Sequence, residues 1–164
     1  MMAADLMARR LRALTVAVIA ALALTVTLLT PPAHAAVTRA APDVLAARAL
    51  DWAEANTLGH TYEFGGAGPG SYDCSGLVMA AYAHADGSSL PHSTYAMLAS
   101  PHLHQVPIAD APRGALLFFG TGHVELKTIW PHTSYGAHSS SDPIIGWRQW
   151  WPGSYEPTAA YIVS

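Results

Sequence analysis

A single cysteine is the residue best suited to covalent chemistry in this chain of 164 residues. Cys74 follows a glycine-rich segment, residues 65–70, and opens a stretch typical of a helix. A thiol at a helix N-terminus lies near unpaired backbone N–H groups and the positive end of the helix dipole, and both stabilise a thiolate. A lone cysteine is more often a small buried apolar residue. The glycine-rich loop, the Tyr-Asp-Cys-Ser-Gly context and an N-terminal export signal favour a nucleophile here.

Histidine is the expected base, because a cysteine nucleophile needs a proton acceptor and that acceptor needs an orienting partner. Eight histidines follow residue 35, so proximity in sequence selects none of them. His123 opens a predicted strand directly after a tight turn, where its side chain can face a groove. His138 is the candidate third member, since a neighbouring strand could let its ring nitrogen accept the other imidazole N–H. A solvated loop histidine is the alternative for each, and the nearby His132 keeps the third position open.

Metal chemistry has weaker support in the sequence. His102 and His104 form a possible ligand pair between two prolines, in what looks like an exposed loop. The chain has no His-Glu-x-x-His or Cys-x-x-Cys spacing. We therefore expect no metal and no cofactor. Three tryptophans could stack on sugar rings, although core or rim positions are the commoner use of such residues: Trp147, Trp150 and Trp151.

The N-terminal residues have the three-part pattern of a secretory signal peptide. Three arginines lie within residues 1–12, an uncharged run covers residues 14–29, and Ala33-His34-Ala35 provides an Ala-x-Ala cleavage site. The run is shorter than the roughly 20 residues of a transmembrane helix. We predict a signal peptide over 1–35, a short linker over 36–42 and one catalytic domain over 43–164. The expected location is extracellular and associated with the cell wall, without stable membrane insertion after cleavage.

Charge and cysteine content exclude several classes of protein. Residues 36–164 hold five basic and ten acidic side chains, a formal charge of −5 with neutral histidines. That balance argues against a nucleic-acid binder and against a polybasic protein of the membrane surface. A single cysteine also excludes an internal disulfide.

Hydrophobic periodicity predicts helices first and strands later. Helices are expected over 43–56, with Asp43 as N-cap, over about 74–85 and over 93–98. Strands are expected over 115–119, 123–130, 135–138 and 159–163. Strand alternation places Glu125 on the same face as His123. This order of elements predicts an α+β domain.

Five blocks of sequence resemble the NlpC/P60 family of cell-wall cysteine peptidases. In chain order they are Tyr-Glu-Phe-Gly-Gly (62–66), Tyr-Asp-Cys-Ser-Gly-Leu-Val (72–78), Leu-Pro-His-Ser (90–93), Arg-Gly-Ala-Leu-Leu-Phe-Phe (113–119) and Gly-His-Val (122–124). The resemblance implies a papain-like fold, with N-terminal helices packed on an antiparallel β-sheet. The order and spacing of the five blocks make the likeness specific, and it runs from about residue 45 to residue 138, most of the mature chain.

The same resemblance implies a role for individual residues. Cys74 would be the nucleophile, His123 the base and His138 the third, orienting member. Tyr72 would help to polarise the scissile carbonyl, and Asp73 and Ser75 would line the substrate groove: all three belong to the second block.

Two positions depart from the family pattern. His92 stands where the family usually has arginine, which affects that part of the groove. Glu125 stands where the family often has a small residue after His-Val. Because Glu125 shares a face with His123, we expect it to alter the base or the nearby subsite.

The sequence therefore predicts a secreted, monomeric cysteine peptidase. Its expected partners are peptidoglycan stem peptides, and its expected target is a D-glutamyl to diamino-acid bond, cleaved through an acyl-enzyme. An amidase or acyltransferase on the same fold is one alternative. A non-catalytic wall-binding module is the other, although a pure binder needs neither the cysteine nor the histidine.

Overall fold

The computed structural model describes residues 40–164, which fall within one compact unit, Arg39–Ser164. The predicted signal peptide and residues 36–39 of the predicted linker lie outside the described residues. Within 40–164, the helices are all too short or too polar to cross a membrane.

Three helices lie in the first half of this unit: α1 (Pro42–Thr57), α2 (Cys74–Asp86) and α3 (Thr94–Leu98). The predicted helices are confirmed, but the predicted cap of α1 is wrong, because Ala41 rather than Asp43 is the N-cap residue. Proline is well suited to the first helical position, where its missing N–H would be unpaired in any case. Pro42 therefore starts the helix, and Asp43 lies in the first turn, where its charge complements the helix dipole.

Eight strands within residues 40–164 form two sheets. A parallel pair joins two short strands, β1 (Thr61–Tyr62) and β2 (Ser71–Tyr72). The main sheet is antiparallel throughout and has the order β3-β8-β4-β5-β6-β7. Its strands are β3 (Leu103–Val106), β4 (Leu116–Phe119), β5 (His123–Lys127), β6 (Thr133–Gly136), β7 (Gly146–Gln149) and β8 (Ala159–Val163). Helices beside an antiparallel sheet confirm the predicted α+β class.

Two strand predictions differ from the structure at their ends. β5 stops at Lys127, and β6 begins at Thr133, two residues earlier than predicted. The cause is the turn between them, where the Thr128 hydroxyl and backbone N–H both donate to the Thr133 carbonyl, at 2.8 and 3.2 Å. This closure starts the second strand sooner than periodicity suggests.

The edge strands β3 and β7 were not predicted from the sequence. The loop expected around His102 and His104 is in part strand β3, and His104 Nε2 lies 2.6 Å from Ser164 Oγ. Edge strands have one unpaired side and a mixed pattern of exposure, so they lack the alternation that identifies a half-buried strand.

The core lies between the helices and one face of the main sheet. Its largest fully buried side chains come from both layers: Leu45, Leu50, Leu77, Tyr82, Phe118, Leu126 and Tyr135. The Tyr82 hydroxyl on α2 donates to the Gly114 carbonyl at 2.9 Å, and the Tyr135 hydroxyl on β6 lies 3.0 Å from Thr57 Oγ1 on α1. These buried hydrogen bonds fix α1 and α2 against the sheet, so that the start of α2 faces β5.

Candidate active site

Cys74 is the first residue of α2, and the preceding loop holds it in place. The Asp73 N–H donates to the Gly66 carbonyl at 2.8 Å. A Cβ at Gly76 would lie 2.0 Å from that same carbonyl oxygen, so only glycine lets the loop lie this close to the helix. Cys74 is 9% exposed and lines a cleft of about 210 Å³. Its thiol therefore meets solvent through a confined opening.

Asp73 caps α2 and ties together three segments around the cysteine. Its Oδ1 accepts hydrogen bonds from the Gly76 N–H and the Ser75 hydroxyl, at 2.7 and 3.0 Å, and its Oδ2 accepts from the Gly65 N–H at 2.9 Å. His92 Nε2 lies 3.0 Å from Oδ1. Burial opposes ionisation, but these hydrogen bonds outweigh it and lower the pKa of Asp73. The predicted groove residues Asp73 and Ser75 both line the cleft, and so does His92.

His123 begins β5 and is the histidine that faces Cys74. Its Nε2 lies 2.7 Å from Glu125 Oε1, and Cys74 lies close enough to the ring to raise the pKa of His123. Because Nε2 is directed at Glu125, Nδ1 is the nitrogen left for the thiol. Burial by itself lowers the pKa of His123, but hydrogen bonds to Cys74 and Glu125 and the nearby negative charges raise it to about 9.

Glu125 is the most deeply buried member of the cluster, at 0% exposure. Its Oε1 lies 2.7 Å from both His123 Nε2 and His138 Nδ1, and its Oε2 accepts a hydrogen bond from the Ser134 hydroxyl. Burial alone would raise the pKa of Glu125, but hydrogen bonds from the two histidines lower it well below its ordinary value. The carboxylate is therefore ionised and accepts hydrogen bonds from three side chains.

His138 lies two residues beyond the end of β6 and is 6% exposed. The antiparallel pairing of β5 with β6 places Leu126 opposite Tyr135. Continued past the ends of the paired residues, the same register places His138 opposite His123. The Glu125 carboxylate occupies the space between the two rings and contacts both. His132 lies elsewhere, with its ring against Trp150 at 4.5 Å between centroids.

The two tyrosines of the motif blocks have different environments. Tyr62 lines the cleft, and its pKa is raised by burial and by the charges of Cys74 and Asp73. Tyr72 is 4% exposed and is not among the cleft residues. The Tyr72 ring packs beside Gly68, where an added Cβ would lie 2.6 Å from the ring. The centroids of the Tyr72 and His60 rings are 6.2 Å apart. Tyr72 was the tyrosine predicted from the sequence, and Tyr62 was missed although it begins the first motif block.

One cluster among residues 40–164 could also share a metal ion: His123, Glu125 and His138, whose ligand atoms lie within 4.8 Å of one another. The hydrogen bonds at 2.7 Å already satisfy the facing atoms. Together with Cys74, the cluster offers a thiol, an imidazole beside it and a buried carboxylate that holds the imidazole. That combination is suited to nucleophilic attack followed by proton transfer.

Comparison with known proteins gives a consistent result. Residues 59–136 match the NlpC/P60 family. A probable endopeptidase of Corynebacterium glutamicum is 32% identical over 120 residues, which cover 70% of this chain and 56% of that protein. A probable endopeptidase of Mycobacterium tuberculosis is 46% identical over 63 residues, 38% of this chain. The chain spans 15% of the length of the mycobacterial relative and about half that of the corynebacterial one.

Solved structures share the fold. The peptidoglycan hydrolase RipB from Mycobacterium tuberculosis is 22% identical to this chain, with a TM-score of 0.56 over 78% of this chain and 68% of that one. The match of residues 59–136, the shared fold and the motif blocks around Cys74 and His123 agree, and the chain belongs to the NlpC/P60 family.

Proposed function

We propose that the protein is a secreted, monomeric cysteine endopeptidase that cleaves the peptide stems of peptidoglycan. The observation that carries the proposal is the position of His123 beside Cys74, a residue that lines the cleft. Family membership supports the hydrolase class, and the RipB structure belongs to a peptidoglycan hydrolase. We assign the D-glutamyl to diamino-acid bond as the target from the resemblance in sequence.

The reaction begins from a Cys74 thiolate beside a protonated His123, the form in which the thiol has already given its proton to the ring, in keeping with the raised pKa of His123. The thiolate sulfur attacks the scissile carbonyl carbon, and a carbon–sulfur bond forms as the carbonyl oxygen becomes an oxyanion. Backbone N–H groups at the start of α2 and the Tyr62 hydroxyl are the donors that can stabilise this oxyanion. We assign this role to Tyr62 rather than to the predicted Tyr72, because Tyr62 lines the cleft beside Cys74.

Collapse of the tetrahedral intermediate completes the first half of the reaction. His123 gives its proton to the leaving amine, the carbon–nitrogen bond breaks, and a thioester remains on Cys74. Water then attacks the thioester while His123 accepts its proton, and the released carboxylic acid leaves the thiol free. Asp73, Ser75 and His92 line the cleft and are the groups available to bind the peptide. The steps need no cofactor.

Mass spectrometry of digested peptidoglycan tests the proposal. The wild-type protein should release stem-peptide fragments cut at one bond, and Cys74→Ser should release none. His123→Ala should lose about 10²–10⁴-fold in turnover while it keeps the fold, because general acid–base catalysis contributes about that much. His132→Ala is the matched control, since its ring lies against Trp150 outside the site.

The fragments distinguish the alternatives. New amine and carboxylate ends at one peptide bond identify an endopeptidase. Release of an intact stem from the glycan indicates an amidase, and a new acyl linkage indicates an acyltransferase. Binding to peptidoglycan without any cleavage by the wild type would contradict the proposal in favour of a wall-binding module.

A further inference from the structure

The site contains a buried carboxylate for which a Cys-His-His triad has no role. We infer that Glu125 is the positioning residue of His123, and that His138 acts through Glu125 rather than directly on His123. The inference rests on the proposed function, because it concerns the base of the same reaction. It assigns a function to the position where the chain departs from the family pattern.

The hydrogen bonds define the order of the contacts. His123 Nε2 and His138 Nδ1 each lie 2.7 Å from the same atom, Glu125 Oε1. A carboxylate only accepts hydrogen bonds, so both imidazoles present an N–H to it. The Nε2–H of His123 is therefore donated to Glu125, and His138 is a second donor to that oxygen. This fixes the orientation of the His123 ring and makes Nδ1 the nitrogen that holds the proton taken from Cys74.

The neighbouring strand is built around the Glu125 side chain. Ser134 donates its hydroxyl to Oε2, which prevents the carboxylate from turning away. Gly136 lies against the stem of the side chain: a Cβ there would lie 2.7 Å from Glu125 Cγ and 3.2 Å from its Cβ. Only a residue without a side chain at position 136 leaves room for glutamate in this conformation.

The charge of Glu125 also acts on His123. The groups that face the imidazole are Cys74 from α2, Glu125 from β5 and the ring of Phe119 from β4. Another neighbour of Phe119 is Tyr155, whose ring stacks on it. Arg148 lies over the Tyr155 ring, 5.1 Å from its centroid. A buried anion in contact with the imidazole stabilises the imidazolium that forms when Cys74 gives up its proton. The charge of Glu125 therefore acts on His123 separately from the orientation that its hydrogen bond imposes. Different substitutions measure the two effects.

Glu125→Gln tests the charge. Glutamine keeps the shape and accepts hydrogen bonds through its amide oxygen, but it has no negative charge. The titration of His123, followed by NMR and assigned with His123→Ala, should shift to lower pH by about one unit or more. In muropeptide hydrolysis, the basic limb of the kcat/KM profile should shift in the same direction. At pH 8, kcat should fall about twofold if the pKa of His123 drops by one unit from about 9, and about tenfold if it drops by two. KM should change little, because Glu125 does not line the cleft.

Glu156→Gln is the control for charge. It makes the same substitution at an exposed position, so its His123 titration should match that of the wild type. If Glu125 had a purely structural role, Glu125→Gln would lower the free energy of unfolding and leave the titration of His123 unchanged.

Gly136→Ala tests position while every ionisable group is kept. The added methyl group should displace the Glu125 side chain, so His123 should titrate at lower pH and kcat should fall. Gly146→Ala is the matched control: Gly146 pairs with Gly136 across β6 and β7, and a Cβ there would meet only Leu58 Cδ1, at 3.7 Å. Gly146→Ala should keep the wild-type titration.

The outcomes separate this inference from the proposed function. If His123 titrates unchanged in both Glu125→Gln and Gly136→Ala, the inference is overturned, whatever the activity. If the titrations shift as expected but the wild type cuts no peptidoglycan, only the proposed function fails. Should Glu125→Gln prove unfolded by circular dichroism, the Gly136→Ala and Gly146→Ala pair decides the question.

Discussion

Two tyrosines ten residues apart are candidates for the side chain that stabilises the oxyanion at the reacting carbonyl. Tyr62 lines the cleft with Cys74, and Tyr72 packs beneath the loop next to Gly68. A hydroxyl stabilises an oxyanion only if it lies within hydrogen-bonding distance of the oxygen that becomes charged. The cleft geometry favours Tyr62, and the resemblance in sequence named Tyr72.

A pair of phenylalanine substitutions distinguishes the two residues. Tyr62→Phe should lower kcat on muropeptides on the order of 10²-fold, the usual cost of one lost oxyanion donor. Tyr72→Phe keeps the ring that packs beside Gly68 and should retain most of the activity. The opposite result, with loss in Tyr72→Phe alone, would restore the role that the sequence predicts.

The site residues differ in how far the sequence predicted them. Cys74 and His123 carry local signals, a helix start after glycines and a strand start after a turn, and the structure brings them together. Alternation also placed Glu125 on the face of His123. The sequence could not show that β6 covers this face and excludes water from it, because burial of a strand face depends on long-range pairing. The roles of His138, Tyr72, Asp73 and Ser75 stay predictions.

At the scale of elements, the contact between the glycine-rich loop and α2 sets the position of the nucleophile. The Gly66 carbonyl lies where a side chain at position 76 would begin. Because the obstacle is backbone, it cannot move aside as a flexible side chain does. The first turn of α2 and the loop are therefore one unit, held by the Asp73 cap.

Gly76→Ala should break this unit. The new Cβ would lie 2.0 Å from the Gly66 oxygen, so the loop must shift, and we expect a loss of about 1–3 kcal/mol in the free energy of unfolding. Iodoacetamide alkylation of Cys74 should also change in rate. Urea unfolding and alkylation kinetics measure the two effects. Gly70→Ala is the control, since an added Cβ in this part of the loop meets open space, and it should behave like the wild type. Equal stability and equal alkylation rates in Gly76→Ala and Gly70→Ala would refute the role of the contact between Gly76 and the Gly66 carbonyl.

The helices and the central strands were predictable, and the edges of the sheet were not. Capping residues and turn glycines mark α2 clearly: Asp73 lies before it, and Gly87 follows it in a left-handed conformation. Strands β4 and β8 are apolar and central. β3 and β7 are defined by partners far away in sequence, which local pattern does not contain.

At the scale of the whole molecule, the His123–Glu125 pair links stability to pH. The pKa of His123 is raised from 6.5 to about 9, so the folded protein holds a proton that the unfolded chain releases. This contribution is complete below pH 6.5 and is lost as pH rises through about 9. The lowered pKa of Glu125 acts in the opposite sense: its contribution is complete above about 4.5 and is lost in acid.

Urea unfolding at pH 6, 7.5 and 9 checks this linkage. The wild type should lose more than about 1 kcal/mol of stability between pH 6 and 9 through this group, since each unit of pKa difference corresponds to about 1.4 kcal/mol. His123→Ala should be less stable at pH 6 and show a smaller decline. Parallel curves for the two proteins would contradict the assigned shift.

Strand β8 has a further consequence for how the protein is made. It lies between β3 and β4, so residues 159–163 supply the hydrogen-bonding partners of two strands that precede them by more than 40 residues. A growing chain that has emerged from the ribosome only as far as β7 therefore lacks the partner strand of both β3 and β4, and open strand edges of this kind invite aggregation. Such non-local pairing also slows folding. Synthesis and closure of the sheet are consequently separate events, and a chain interrupted before β8 can bury neither edge.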